Sequence, residues 1–166
     1  MSSYPMEKGK AILEYTFLAG TGGVYRWRGV ITDSASPTTP VSERDRFRVK
    51  LPSTAFTAGE NFVGIVQGPS STLDGTEALI TAGKTVNVRL QGFGPMQCDT
   101  NVGSTAIAFG DYVALSAGAS GDEGKVRKAT RSSNTFAANQ HVVGVSLNRC
   151  TLAVHYSMVL LRPMEL

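Results

Sequence analysis

Two short stretches of the chain share one pattern of apolar and polar positions. The first runs Asn61, Phe62, Val63, Gly64, Ile65, Val66, Gln67, Gly68; the second runs His141, Val142, Val143, Gly144, Val145, Ser146, Leu147, Asn148. Each is a β-branched run with one central glycine. Branched β-carbons fit a pleated surface, so both predict strands. A glycine inside such a run marks a bulge, a bend or a close backbone approach. Each stretch is followed, after a gap, by a further apolar run, at residues 86–90 and 157–162. The pattern predicts two related β-units forming one body.

Other segments extend this reading. Residues 11–18 carry Ile12, Leu13, Tyr15, Phe17 and Leu18 and predict a first strand, with a glycine-rich hairpin turn at 19–23. Residues 24–31 alternate by two, with Tyr25, Trp27 and Gly29 on one side and Arg26, Arg28 and Val30 on the other. That predicts a strand with an apolar and a basic face. Residues 32–41, rich in Ser, Thr and Pro, predict a loop. In residues 44–51, Phe47, Val49 and Leu51 are expected to face inward and Arg46, Arg48 and Lys50 outward, with Pro52 as the stop. Short runs at 86–91, 95–99, 111–116 and 124–129, each bounded by Gly, Asn, Asp or Ser, predict more strands. Residues 74–83 are the best helix candidate: Asp74 can cap, Glu77 completes a capping box and Gly83 closes the end. Residues 132–140 predict a loop or a single helical turn.

The expected fold class is therefore all-β, mainly strands with one or two short helices, as a compact sandwich or tulip-like barrel. Residues 1–10 are expected to form a flexible N-terminal arm, and 11–166 a single β-rich domain.

Composition changes this picture little. The 166 residues include 18 glycines and 7 prolines, which favours many short strands over long helices. The net charge of +3 is dispersed and gives no nucleic-acid footprint. No apolar run approaches the ~18 residues of a membrane span. The N-terminus lacks the basic-then-apolar form of a secretory signal, which places synthesis in a reducing compartment. Cys98 and Cys150 sit in no metal-binding spacing and are expected to be reduced, partly buried thiols.

Candidate chemistry is sparse. Gly83, Lys84 and Thr85 resemble the end of a phosphate loop, but Ala78 stands where that motif needs glycine, and a strand follows instead of a helix. No nucleophile elbow, zinc-protease motif, calcium loop or histidine cluster occurs. An enzyme reading would need His141 or His155 in a pocket beside a Ser or Asp. No cofactor or metal is expected, and the weight moves to adhesion. The candidate contact residues are Tyr4, Lys8 and Lys10 on the arm and Arg26, Trp27 and Arg28 on the basic strand.

Residues 110–118, 121–130 and 141–147, with the closing strand Met158 to Arg162, together resemble small tailed-phage capsid decoration (cement) proteins. Residues 86–92 resemble the strand that precedes this segment in that family. The likeness covers roughly residues 62–166 and leaves the N-terminal third outside it. It implies a β-rich fold without enzymatic activity and a place on the outer surface of the virion after assembly in the host cytoplasm. It implies the major capsid protein and other copies of the chain as partners, as a homotrimer more readily than a homodimer, with no direct nucleic-acid or membrane contact. The alternative reading is a host-surface or carbohydrate-binding β-module, with Trp27 or Tyr25 exposed beside polar groups.

Overall fold

A computed structural model describes residues 12–33, 47–52, 61–67, 79–100, 104–116, 121–132, 135–136, 141–151 and 155–161. The arm at 1–10, the 34–41 part of the Pro-rich loop and Arg46 lie outside the described residues. Among these residues eleven strands follow one another: β1 (Leu13–Ala19), β2 (Gly29–Thr32), β3 (Arg48–Lys50), β4 (Phe62–Val66), β5 (Thr85–Gln97), β6 (Tyr112–Leu115), β7 (Val126–Lys128), β8 (Arg131–Ser132), β9 (Thr135–Phe136), β10 (Val142–Ser146) and β11 (Tyr156–Leu161). Nine form one sheet in the order β1-β3-β2-β4-β5-β11-β10-β6-β7, and β8 pairs with β9 in a small ribbon. No α-helix occurs among the described residues.

The sheet curls on itself. β1 pairs antiparallel with β5 from Leu13↔Gln91 to Leu18↔Thr85, which closes β1-β3-β2-β4-β5 into a five-stranded barrel. β5 is long enough to serve twice. Its first half completes the barrel; its second half, from Gly92 to Gln97, pairs with β11. Gly92 sits between the halves at φ 103°, a backbone conformation that side chains resist.

Two cores result. Ala19, Val24, Val30, Val49, Val66, Val86 and Val88 fill the barrel. Ile31, Ile65, Met96, Cys98, Ile107, Val113, Leu115, Val126, Val143, Cys150, Val159 and Leu161 fill the second unit. Neighbouring residues divide between them: Val30 and Val66 point into the barrel, while Ile31 and Ile65 point out of it into the other core. Strands buried on both faces read as continuous apolar runs, which is why Val30–Ile31 and Ile65–Val66 stand adjacent.

Both glycine-centred stretches are strands and pack in the same way. Gly64 on β4 faces β5, and a Cβ there would overlap the Arg89 carbonyl; Gly144 on β10 faces β11, and a Cβ there would overlap the Leu160 carbonyl. Ladder irregularities sit beside both glycines. These are the close approach and the bulge that a glycine inside a β-branched run announces.

Four expectations need correction. Residues 24–28 are not strand: Val24 makes an isolated bridge to Ile80, residues 26–27 form a turn, and β2 begins at Gly29. Trp27 adopts φ 56°, donating its N–H to the Val66 carbonyl and accepting from the Gln97 N–H, so tertiary pairing breaks the alternation. Of the strand expected over 44–51, the described residues 47–51 are strand at Arg48–Lys50; Val49 is buried but Phe47 is half-exposed instead of facing inward. The described end of the expected helix, 79–83, is a bridge at Ile80 and a turn at Gly83, because Ile80 packs against the barrel core.

The fourth is the cysteines. Cys98 and Cys150 form a disulfide across 52 residues, with Cα atoms 7.1 Å apart. Cys98 extends β5 and bridges Val126; Cys150 bridges Ile107. Both point into the second core, so residues remote in the chain converge there. Spacing alone could not reveal that meeting.

Candidate functional site

The residues between Val24 and Gly29 form the joint of the molecule. Trp27 is 3% exposed and meets the Tyr156 ring edge-on, with centroids 5.2 Å apart. Arg28 is 7% exposed. Its Nε donates to Gln97 Oε1 at 3.1 Å, a second guanidinium nitrogen donates to the Glu123 carbonyl at 3.2 Å, and the group lies 4.3 Å from the centre of the Tyr25 ring. Gly29 donates its N–H to the Gly124 carbonyl at 2.6 Å. Burying a guanidinium is costly unless its donors and charge are matched, and here amide, carbonyl and ring supply the match. Trp27 and Arg28 therefore lock the barrel to the second unit and are not displayed to a partner. Trp27 is buried and so offers no open aromatic platform for a carbohydrate, and the half-buried Tyr25 ring carries the Arg28 guanidinium on one face.

Arg26 is placed differently. It is half-buried and lines a cleft of about 530 Å³ on the barrel with Glu14, Gln67, Thr85, Asn87 and Arg89. Glu14 and Arg89 pair across β1 and β5 at 2.5 Å, and Thr16 Oγ1 donates to Asn87 Oδ1 at 3.0 Å. Tyr4, Lys8 and Lys10 lie outside the described residues, so of the six candidate contacts only Arg26 is seen on an accessible surface.

A second cleft, about 400 Å³, is lined by Gly110, Asp111, Tyr112, Lys128, Ala129 and Arg131. Lys128 pairs with Asp111 at 2.9 Å, and the Arg131 guanidinium lies 5.4 Å from the centre of the Tyr112 ring. His141 stands half-buried just before β10, and His155 is exposed before β11; neither lines these clefts. Ser146 and Ser157 are buried and hydrogen-bonded to each other at 2.5 Å.

Next to the second cleft lies the surface that sequence reasoning missed. Register places Phe93, Leu160, Val145 and Tyr112 directly opposite one another across β5, β11, β10 and β6. Residues opposite in antiparallel strands share a face. Their inner neighbours Gly92, Leu161, Gly144 and Val113 are all buried, so this row faces outward. Phe93 is 48% and Leu160 38% exposed. Pro95, Met158 and Leu147 form a second row beside it, and Leu147 is 36% exposed. The signal was in the sequence: Met158, Leu160 and Phe93 alternate with buried positions, so both faces of these strands are apolar.

Asp122 is the one described carboxylate whose acidity is clearly tuned. Burial pushes its pKa upward. Hydrogen bonds from the Lys125 side chain and from the Thr100 hydroxyl and N–H, with the Lys125 charge, outweigh burial and hold it below the ordinary carboxylate value. It ties the turn before β7 to the end of β5.

No protein-family model and no curated protein matches the chain. Among solved structures it is similar to a chain of the capsid of Myoviridae phage XM1, with TM-score 0.59 and 16% identity, covering 92% of this chain and 84% of that one. It also aligns with the N base of head fiber gp8.5 of bacteriophage phi29, with TM-score 0.46 and 12% identity, covering 91% and 94%. The double β-unit built on β5 is thus a fold it shares with a chain of a phage capsid.

Proposed function

We propose that the chain is a structural component of a phage head that binds the outer surface of the assembled capsid and cements neighbouring capsomers. The observation that carries this reading is the fold shared, over 92% of the chain, with a chain from a phage capsid. The physics supports it. A ligand that binds only the assembled lattice stabilises that lattice by mass action, and many copies spanning capsomers resist the pressure of packaged DNA. The major capsid protein is the partner, self-association is trimeric, and the N-terminal arm with Tyr4, Lys8 and Lys10 reaches a neighbouring subunit, ordering on contact at an entropic cost. Arg26 is the barrel residue that reading retains as a contact.

Co-sedimentation tests the proposal. The purified chain is expected to pellet with expanded shells of its phage and to ignore unassembled capsid subunits. Equal binding to both, or to neither, refutes it. Removing residues 1–10 tests the arm separately: unchanged occupancy removes the arm from the contact.

A further inference from the structure

We infer that the outward apolar rows of β5, β11, β10 and β6 are the face that seats on the shell, against an apolar ledge of the capsid protein that only the assembled lattice presents. This rests on the capsid-binding reading and adds which surface makes the contact. The first row is Phe93, Leu160, Val145 and Tyr112; the second is Pro95, Met158 and Leu147. At their margin stands Phe109, 74% exposed, in the turn whose Gly110 N–H donates to the Ser146 carbonyl at 2.8 Å.

Water-facing antiparallel sheets ordinarily alternate apolar-in and polar-out. Here the outward positions are apolar across four neighbouring strands. At about 4.8 Å per strand step and roughly 7 Å between rows, the surface with Phe109 amounts to on the order of 400 Å². A patch of that size is comparable to the largest apolar patch on an ordinary chain, which is often a functional surface. It is also about half of the roughly 800 Å² per partner that a free-standing stable complex needs. Two copies facing each other through it would fall short. A lattice makes up the difference, because the same subunit gains further contacts from adjacent capsomers. The cleft beside Tyr112, with its Lys128–Asp111 pair, ends the row in a recess that can take one anchoring side chain of the shell.

The test compares F93E/L160E, and the milder F93S/L160S, with L13E/Y15E on the exposed part of β1 in the barrel. Each is measured by melting, by sedimentation for oligomeric state, and by titration onto shells of its phage prepared without this protein. Both sheet-face pairs are expected to melt and sediment as wild type and to bind at least about tenfold more weakly per anchor lost, with L13E/Y15E unaffected. Wild-type binding by the folded sheet-face variants overturns the inference while leaving the capsid reading intact. A drop in oligomeric state in those variants also overturns it, assigning the face to copies of this chain. Failure of the wild type to bind any shell sinks the capsid reading, and the inference with it.

Discussion

The barrel and the second unit are built alike and closed differently. Each contains a glycine-centred strand packed on a partner, β4 on β5 and β10 on β11. The barrel is closed by a ladder of six residue pairs between β1 and β5. Among the described residues, the second unit's far edge returns to the extension of β5 through the Cys98–Val126 bridge, the hydrogen bonds from Thr100 to Asp122 and the Cys98–Cys150 disulfide. Its core also borrows a wall, Ile31 and Ile65, from the outside of the barrel. A ladder holds by many small hydrogen-bond terms; a covalent link holds by limiting the unfolded chain. The first unit is therefore closed by a continuous ladder, and the second leans on a covalent link, a few local hydrogen bonds and its neighbour.

The largest expected effect comes from breaking that bond. Linking residues 52 apart stabilises by about 4 kcal/mol on a chain-entropy estimate. C98A/C150A, or reduction of the wild type, should lower the melting temperature markedly. Hydrogen exchange should rise in β6, β7 and β10 before it rises in β1 and β3; uniform loss across both units would contradict the contrast.

Next is the shared wall. Ile65→Ala should cost about 3 kcal/mol, within the usual range for emptying a buried aliphatic position, and should loosen the second unit first. Val66→Ala, on the other face of the same strand, should cost less and loosen the barrel. Denaturant titration with site-resolved exchange separates the two.

The twin glycines sharpen the likeness between the units. Gly64→Ala and Gly144→Ala should each cost about 2 kcal/mol by overpacking against a neighbouring carbonyl. Closely matched losses in chemical denaturation support a common design; loss at only one site would make the resemblance superficial.

The smallest effect concerns acid. The folded pKa of Asp122 lies below its unfolded value. Its contribution is therefore fully present above the unfolded value and is lost as the pH falls through the folded one, in a window below about pH 4. Asp122→Asn should lower stability slightly at neutral pH, where the ionised carboxylate contributes in full, and flatten the profile in that acid window, as denaturant unfolding across the pH range would show.

Much of the fold was legible because strand periodicity is a local property. Phe62 to Val66, Val142 to Val145 and the runs along β5 and β11 were readable from branched residues and a central glycine. The two cores were not, since only closure decides that Ile65 and Val66 serve different interiors. Trp27 and Arg28 misled for the same reason. Their alternation looked like an amphipathic strand, whereas a left-handed turn buries both at the joint. The disulfide needed two distant bridges to converge, which no spacing encodes. Phe93, Met158 and Leu160 could have been flagged as a doubly apolar surface, but only the register aligns them into rows.

β5 belongs to both units along one unbroken backbone. The chain therefore has no seam at which a gene could be cut to yield two working halves. A fragment ending before Thr85 would leave its staves unhooped, and one starting after Gln97 would lack its edge. Recombination that exchanges either half among related sequences has to carry this strand with it.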